Sequence, residues 1–422
     1  MKKFLVITAF LCPFITLSCQ QRTSSQEISN NWQWRGYNRN GVYNETGLLK
    51  EWPTEGPQLL WKFEGLGEGH TSVAIANEKL YVSGMHEDNL VLYVFDLNGN
   101  LLTEKEIGKE WNNNWNGTRS SVCINEGKLY IFNALGNLYC LDETTLNMVW
   151  TKDVLNDFDG RNLMFGMTEN PLIVGDKLFL TPGGLTNGMV ALNKNSGELI
   201  WSSSGIGMPS SYCSPLYIGD YAIPIVVNWF ASEEEKEKIY DNKIAAFNAD
   251  TGELLWEHTL PSENDINPNM PIYSNGMMLI ITGYKGGAWM FQIKEGGKAA
   301  ELVWHNQEMD NQMGGAIKVG DYIYTSGHTN RNWFCVDWKT GETQYKAADI
   351  APCNVIYADG MLYCYSEKGT MNLVKPNPEQ FEKISTFNIT LGTDQHWAHP
   401  VIHNGILYIR HGNALMAYNI KQ

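Results

Sequence analysis

The fold is decided by Lys243–Trp256, which reads KIAAFNADTGELLW. Lys243–Asn248 is short and rich in apolar residues, as a strand requires. Asp250-Thr251-Gly252 then turns the chain: an Asp can bond its own backbone, and Gly accepts the positive φ of a type I turn followed by a bulge. Glu253–Trp256 runs back as the partner strand and ends on a large aromatic. The same sentence recurs as YCLDETTLNMVW (Tyr139–Trp150), VALNKNSGELIW (Val190–Trp201) and, worn down, FCVDWKTGETQY (Phe334–Tyr345). A hairpin that repeats at a fixed period and closes on an aromatic is one blade of a propeller.

Outward from that stretch, eight inner hairpins are read by their second strands: Lys79–Ser83, Lys128–Asn133, Lys177–Thr181, Tyr221–Asn228, Met277–Thr282, Tyr322–Ser326, Met361–Tyr365 and Ile406–Arg410. Spread from Pro57 to Gln422, they give about 46 residues per blade, the spacing of four-stranded units. The last blade stops at Ala414–Ile420 with three strands, whereas Gln58–Leu66 (QLLWKFEGL) is an outer strand without inner ones. The expectation is an all-β, eight-bladed propeller of four-stranded antiparallel blades over residues 58–422. Pairing of the N-terminal strand with the C-terminal blade closes it and hides two open sheet edges. Trp61, Trp150, Trp201, Trp256 and Trp304 should pack between neighbouring blades. Asn228–Asn242 (NWFASEEEKEKIYDN) reads as a long solvated hairpin loop.

The net charge of −15 argues against nucleic acid and against an anionic membrane surface as partners. Residues 1–19 read as a targeting segment: Lys2 and Lys3, an apolar run Phe4–Leu17, then Ser18-Cys19. This resembles a bacterial lipoprotein signal in which Cys19 becomes the lipidated N-terminus, although Thr16 stands where that signal usually has Leu. Residues 20–30 are polar and read as a flexible tether. The expected location is the cell envelope, on the periplasm-facing outer membrane, with a monomer that touches lipid through its anchor alone. Six further cysteines (Cys123, Cys140, Cys213, Cys335, Cys353, Cys364) read mostly as small buried hydrophobes. Cys353 and Cys364 flank one hairpin and are the pair worth testing as a disulfide.

Residues 31–57 precede the repeats and read as an ordered arm packed on the propeller. Trp32, Trp34, Arg35, Gly36, Arg39 and Gly41, followed by Glu45-Thr46-Gly47-Leu48 and Trp52-Pro53, open this region. That opening resembles the bacterial pyrroloquinoline-quinone-like (PQQ-like) propeller proteins. So do TPGGLTNGMVALN (Thr181–Asn193), NQMGGAIKVGDYIY (Asn311–Tyr324), NVIYADGMLYCYSEKG (Asn354–Gly369) and HWAHPVIHNGILYIR (His396–Arg410). The resemblance implies the propeller fold and, through the quinoprotein dehydrogenases, a blade-locking role for Ala249–Trp256. It also includes the propeller lipoprotein of the outer-membrane β-barrel assembly machinery, a non-enzymatic scaffold.

In a propeller the loops that lead into the innermost strands form one rim. Here they bring His70, Arg119, Glu169, Tyr212, Asn269, Gln312, Asn354, His396 and His399 to one end, a candidate ligand pocket. The bland alternative is that these groups satisfy one another and the channel backbone, with Arg119 and Glu169 as an ion pair. Trp111 and Trp115, set among asparagines in KEWNNNWNG (Lys109–Gly117), could stack on a sugar. His396 and His399, three apart on a strand, point to opposite faces and would not share an ion. Asp157-x-Asp159-Gly160 begins like a calcium loop but lacks the later ligands. Gly65-x-Gly67-x-Gly69 precedes a strand rather than opening a helix, so it is not a dinucleotide loop. No nucleophile motif such as GxSxG or HExxH occurs. PQQ with calcium is not expected as a cofactor, because the adjacent cysteines that the quinoprotein resemblance implies are absent, as is a haem-binding CxxCH. The expected function is a non-enzymatic envelope scaffold that meets an envelope protein or small ligand through rim loops and channel. The alternatives are a PQQ-dependent oxidoreductase and a carbohydrate-binding or carbohydrate-processing accessory.

Overall fold

The computed structural model describes residues 1, 32–312 and 314–422. The expected signal, Cys19 and the tether fall outside the described residues. Among the described residues, no helix is long and apolar enough to cross a membrane.

Eight antiparallel sheets follow one another around a central channel. The first blade shows the plan: Ala74–Ala76 innermost, then Lys79–His86, Asn89–Asp96 and outermost Leu101–Lys109. The middle strands are buried along nearly their whole length, because each blade has a neighbour on both faces. The eighth blade joins the two chain ends. Val401–His403, Ile406–His411 and Ala414–Asn419 take Gln58–Phe63 as their fourth strand, with Gln58 opposite Asn419 and Phe63 opposite Leu415.

The defining hairpin forms as read, with Gly252 at φ +77° and a bulge before Trp256. The turn's side-chain bond differs from expectation. Asn248 Oδ1 accepts from Asp250 N at 2.9 Å, and the Asp250 carboxylate pairs with Lys177 instead. Outer-strand tryptophans latch each blade to the next. Trp61, Trp150, Trp201, Trp256 and Trp304 donate their indole N–H to a carbonyl of the following blade at 3.1–3.2 Å. Four of these rings lie on the turn glycine of that blade (Gly99, Gly197, Gly252, Gly341), where a Cβ would approach within 2.4–2.8 Å of the ring. Blade 1 has Thr103 in place of Trp, and the facing turn has Leu146 in place of Gly. There Lys105 Nζ reaches the Leu146 carbonyl at 2.5 Å. Blade 7 has Ser385, whose hydroxyl accepts from Trp52 N of the arm while the Trp52 ring packs on Phe387 and Tyr363.

Two boundaries move. The second strand of blade 4 is Ile225–Phe230, four residues later than Tyr221–Asn228, because Pro224 has no N–H for the ladder. The Asn228–Asn242 insertion keeps Asn228–Phe230 and Ile239–Asn242 in strands and pairs Glu235–Lys236 back on Ile239 and Tyr240, so the exposed charged stretch is only Glu233–Lys238. All six described cysteines are free and buried. Cys364 faces Val355, and Cys353 faces Ser366 two pairs further along, so the two thiols sit diagonally on one face of the hairpin.

The arm goes deeper than a surface packing. Trp32 O accepts from Ile124 N on the blade 2 inner strand. Arg39 bonds the Asn170 and Pro171 carbonyls of blade 3. Arg35 bonds the Gly314 and Ala316 carbonyls of blade 6, and Val42–Tyr43 pairs in parallel with the blade 7 inner strand. A segment that touches blades on opposite sides of the ring lies across the channel and plugs it.

Candidate functional site

Around the channel, the loops leading into the inner strands are tied blade to blade by side chains. Ser72 N donates to Ser121 Oγ, Ser121 N to Asn170 Oδ1, and Asn170 N to Ser214 Oγ, at 2.7–2.9 Å. Asn267 N donates to Ser211 Oγ, Asn269 Nδ2 to Asn311 O, Cys353 N to Ser326 Oγ, and Asn354 Nδ2 to Trp397 O. Ser72 Oγ reaches His399 O and completes the circle. Buried polar groups must find partners, and this belt absorbs several rim residues. Asn269 and Asn354 are wall fasteners, not ligand contacts. Glu169 is fully buried and accepts from Thr181 N at 3.1 Å. Burial pushes its carboxyl up to about 8 against that hydrogen bond and the Arg39 charge. The expected Arg119–Glu169 ion pair does not form. Arg119 curls back on its own loop and donates to the carbonyls of Asn114, Trp115 and Gly117 at 2.6–2.9 Å.

Above the arm, the rim encloses a cup of about 450 Å³. It gathers five of the nine expected rim residues: His70, Arg119, Tyr212, Gln312 and His399. His396 is excluded; it stacks on His411 at 3.6 Å and bonds Tyr365 Oη at 2.6 Å. His396 lies in a loop, not on a strand, and His399 points elsewhere, edge-on to Trp34 with Nδ1 3.2 Å from Arg35 Nη1. Trp111 and Trp115 also part company. Trp111 is 9% exposed and buried under Arg119, which corrects the expectation of an exposed pair, whereas Trp115 is 47% exposed on the cup wall. Asp159 staples its loop to Thr186 and Asn187.

The cup's walls are aromatic in a way the sequence reading missed. Trp115 stands edge-on to Phe165 and tilts toward Trp397, whose ring lies 4.9 Å from that of His70. Trp34 of the arm forms part of the wall. Tyr284, His328 and Glu367 join from turns between the second and third strands of blades 5, 6 and 7, which open on the same face. Phe165 and Trp397 stand in segments that precede inner strands and were legible as aromatics near the polar residues singled out. The turn residues carried no local signal. Among the described residues, neither ring nitrogen of His70 has a hydrogen-bond partner. Burial, reinforced by Arg410 and Arg119, lowers its pKa to about 3. The imidazole is therefore neutral at physiological pH and offers one donor and one acceptor to the cup.

The quinone cofactor implied by the resemblance can be tested against these residues. Calcium needs several oxygen ligands. Among the lining residues the one carboxylate is Glu367, which is ion-paired with Arg331. Glu169 faces the wall, and no two described cysteines are adjacent. The donor set does not fit a calcium–quinone pair held by adjacent cysteines.

Eight four-stranded blades closed into a ring by the two ends of the described chain define the class as a β-propeller. This chain belongs to the family described as outer membrane protein assembly factor BamB, whose model matches residues 87–347. It is 22% identical to quinoprotein alcohol dehydrogenase PedH of Pseudomonas putida over 329 residues, covering 69% of this chain and 53% of the relative. It is 27% identical to a quinoprotein ethanol dehydrogenase of Pseudomonas aeruginosa over 143 residues, 33% of this chain and 22% of the relative. The chain thus spans about half or less of the curated relatives it matches. Among solved structures it resembles BamB from Moraxella catarrhalis (TM-score 0.61, 14% identity, 86% of this chain and 99% of that one). It also resembles quinohemoprotein alcohol dehydrogenase from Comamonas testosteroni (TM-score 0.67, 11% identity, 95% and 82%). These structural likenesses show the fold.

Proposed function

We propose that this protein is a non-enzymatic binding scaffold of the cell envelope, anchored through a lipidated Cys19, and that it grips a partner protein through the rim cup. One observation carries the reading. The cup offers Trp34, Trp115, Phe165 and Trp397 beside Asn170 and Arg119, which are already bonded into the wall, and the imidazole of His70, which is left to bond a partner. Rigid aromatics in a pocket with a satisfied polar surround are the composition of interaction hot spots. Membership of the assembly-factor family supports a protein partner in the outer membrane's construction. The test is capture from envelope extracts on the lipidated protein, with Trp115→Ala/Trp397→Ala alongside. Retention of outer-membrane assembly components by the parent and their loss from the double variant is expected. Equal capture by both would exclude the cup as the contact.

A second reading is favoured by the curated relatives, which are quinoprotein dehydrogenases. Dye reduction with an alcohol after addition of PQQ and calcium would establish it over the scaffold. The carbohydrate reading rests on Trp115 alone, the one exposed member of the expected pair. Glycan binding lost in Trp115→Ala would favour it.

A further inference from the structure

Below the plug lies a second cavity of about 410 Å³, between the arm residues Trp34–Val42 and the inner strands of blades 4, 5 and 6. Its wall holds Arg35, Arg39 and Lys318, and no Asp or Glu. Such a set is unexpected in a chain of net charge −15. Arg35 and Arg39 are 4% and 5% exposed, and neither forms an ion pair among the described residues. Their guanidinium nitrogens bond backbone carbonyls, a glutamine oxygen and His399, and Arg39 Nε has no partner among the described residues. The carboxylate that acts on Arg39 belongs to Glu169, which burial keeps protonated up to about pH 8 and so supplies no counter-charge at neutral pH. Buried charge without compensation is costly, by several kcal/mol per ion. An apolar patch of Leu216, Met270, Ile272, Leu279 and Ile281 faces these cations, with Asn40, Asn269, Tyr217, Tyr273 and Ser274 completing the wall. Asn38 is exposed and Lys318 half-buried, so the mouth faces solvent on the side away from the cup.

We infer that this lower cavity is a binding site for a small organic carboxylate with an apolar body. The anion is held toward Arg35 and Arg39, and the hydrocarbon lies against blades 4 and 5. Lys318 at the mouth attracts the anion. The volume falls within the range of small-molecule pockets. The site adjoins the rim cup, sharing Trp34 and Gly314 with it, and its occupancy would fix the arm that floors that cup.

Calorimetric titration of the purified full chain with hexanoate and benzoate, against hexanamide and benzamide, tests this. Saturable binding of the carboxylates, at least about tenfold tighter than the amides, is expected. Ile272→Trp fills the cavity and should abolish it. Lys318→Gln removes the charge at the mouth, whose ammonium also bonds the Gly320 carbonyl and lies over the Trp338 ring, and should weaken binding a few-fold at low salt. Trp397→Ala, in the cup, should leave it unchanged. The melting transition of each variant establishes that it is folded. Equal affinity for amides, absence of binding, binding that survives both Ile272→Trp and Lys318→Gln, or loss in Trp397→Ala would each overturn the site.

Discussion

The rim of the ring and its axis are built by opposite rules. At the periphery one device repeats: a tryptophan on an outer strand donates to, and lies upon, the turn of the next blade. Where the tryptophan is missing, the glycine is missing too, as at Thr103 and Leu146, or the arm supplies the ring, as Trp52 does beside Ser385. At the axis, inside the belt of Ser and Asn ties, nothing repeats. A single segment crosses the channel, two arginines anchor it to different blades, and the chemistry differs above and below it. Redundant contacts stabilise the ring; unique ones shape the sites. The periphery should therefore govern stability and the axis should govern binding.

The severest break is removal of Gln58–Leu66. It strips the fourth strand from blade 8 and exposes the edge of Ala414–Asn419. Loss of the cooperative melt, or oligomers in size-exclusion chromatography, is expected; an unchanged melt would show that the ring does not need this closure. Next comes the latch itself. Trp201→Ala should cost about 3–5 kcal/mol in urea unfolding. Gly252→Ala should also destabilise, since its Cβ would sit 2.5 Å from the Trp201 ring at φ +77°. If the two effects add fully in the double variant, ring and glycine do not form one unit.

A pH effect sharpens the axis. Glu169 and Glu110 are buried carboxyls raised to about 8 and about 7, chiefly by desolvation. Each keeps in the folded state a proton that the unfolded chain releases near pH 4.5, so stability falls as pH rises toward the folded value and levels off above it. Below about 6.5 the lowered histidines, His70 at about 3 and His396 at about 4, act in the opposite sense. The clean window is pH 6.5–8. There the parent's urea midpoint should decline, and Glu169→Gln should flatten the decline and exceed the parent at pH 8. An equal slope in both would place the titration elsewhere.

The smallest effect divides the two tryptophans that looked alike. Trp111→Ala should cost about 3 kcal/mol or more as a buried ring beneath Arg119. Trp115→Ala should stay within about 1 kcal/mol, because half of it is already solvated. Chemical denaturation of the pair checks this; comparable losses would contradict the placement of Trp115 on an open wall.

The chain's own order of residues determined the ring. A turn with glycine at positive φ, strands of matched length and a terminal tryptophan are local features, and their repetition implied the blade number and the closure of the ends. The rim loops were legible for the same reason, as segments preceding each inner strand. The fate of their side chains was not. Glu169 turns to Thr181 and Arg119 to its own loop, partners near in sequence that no local pattern marks, whereas Trp115 takes its place on the cup wall from Phe165 and Trp397 of other blades. The plug lay further still beyond local reading. Arg35 joins carbonyls 279 and 281 residues along the chain, and only the closed ring brings those into range. Short-range spacing encodes a repeating frame, whereas a channel at its centre is lined by one residue from each distant repeat, and tertiary structure alone decides which of them meet.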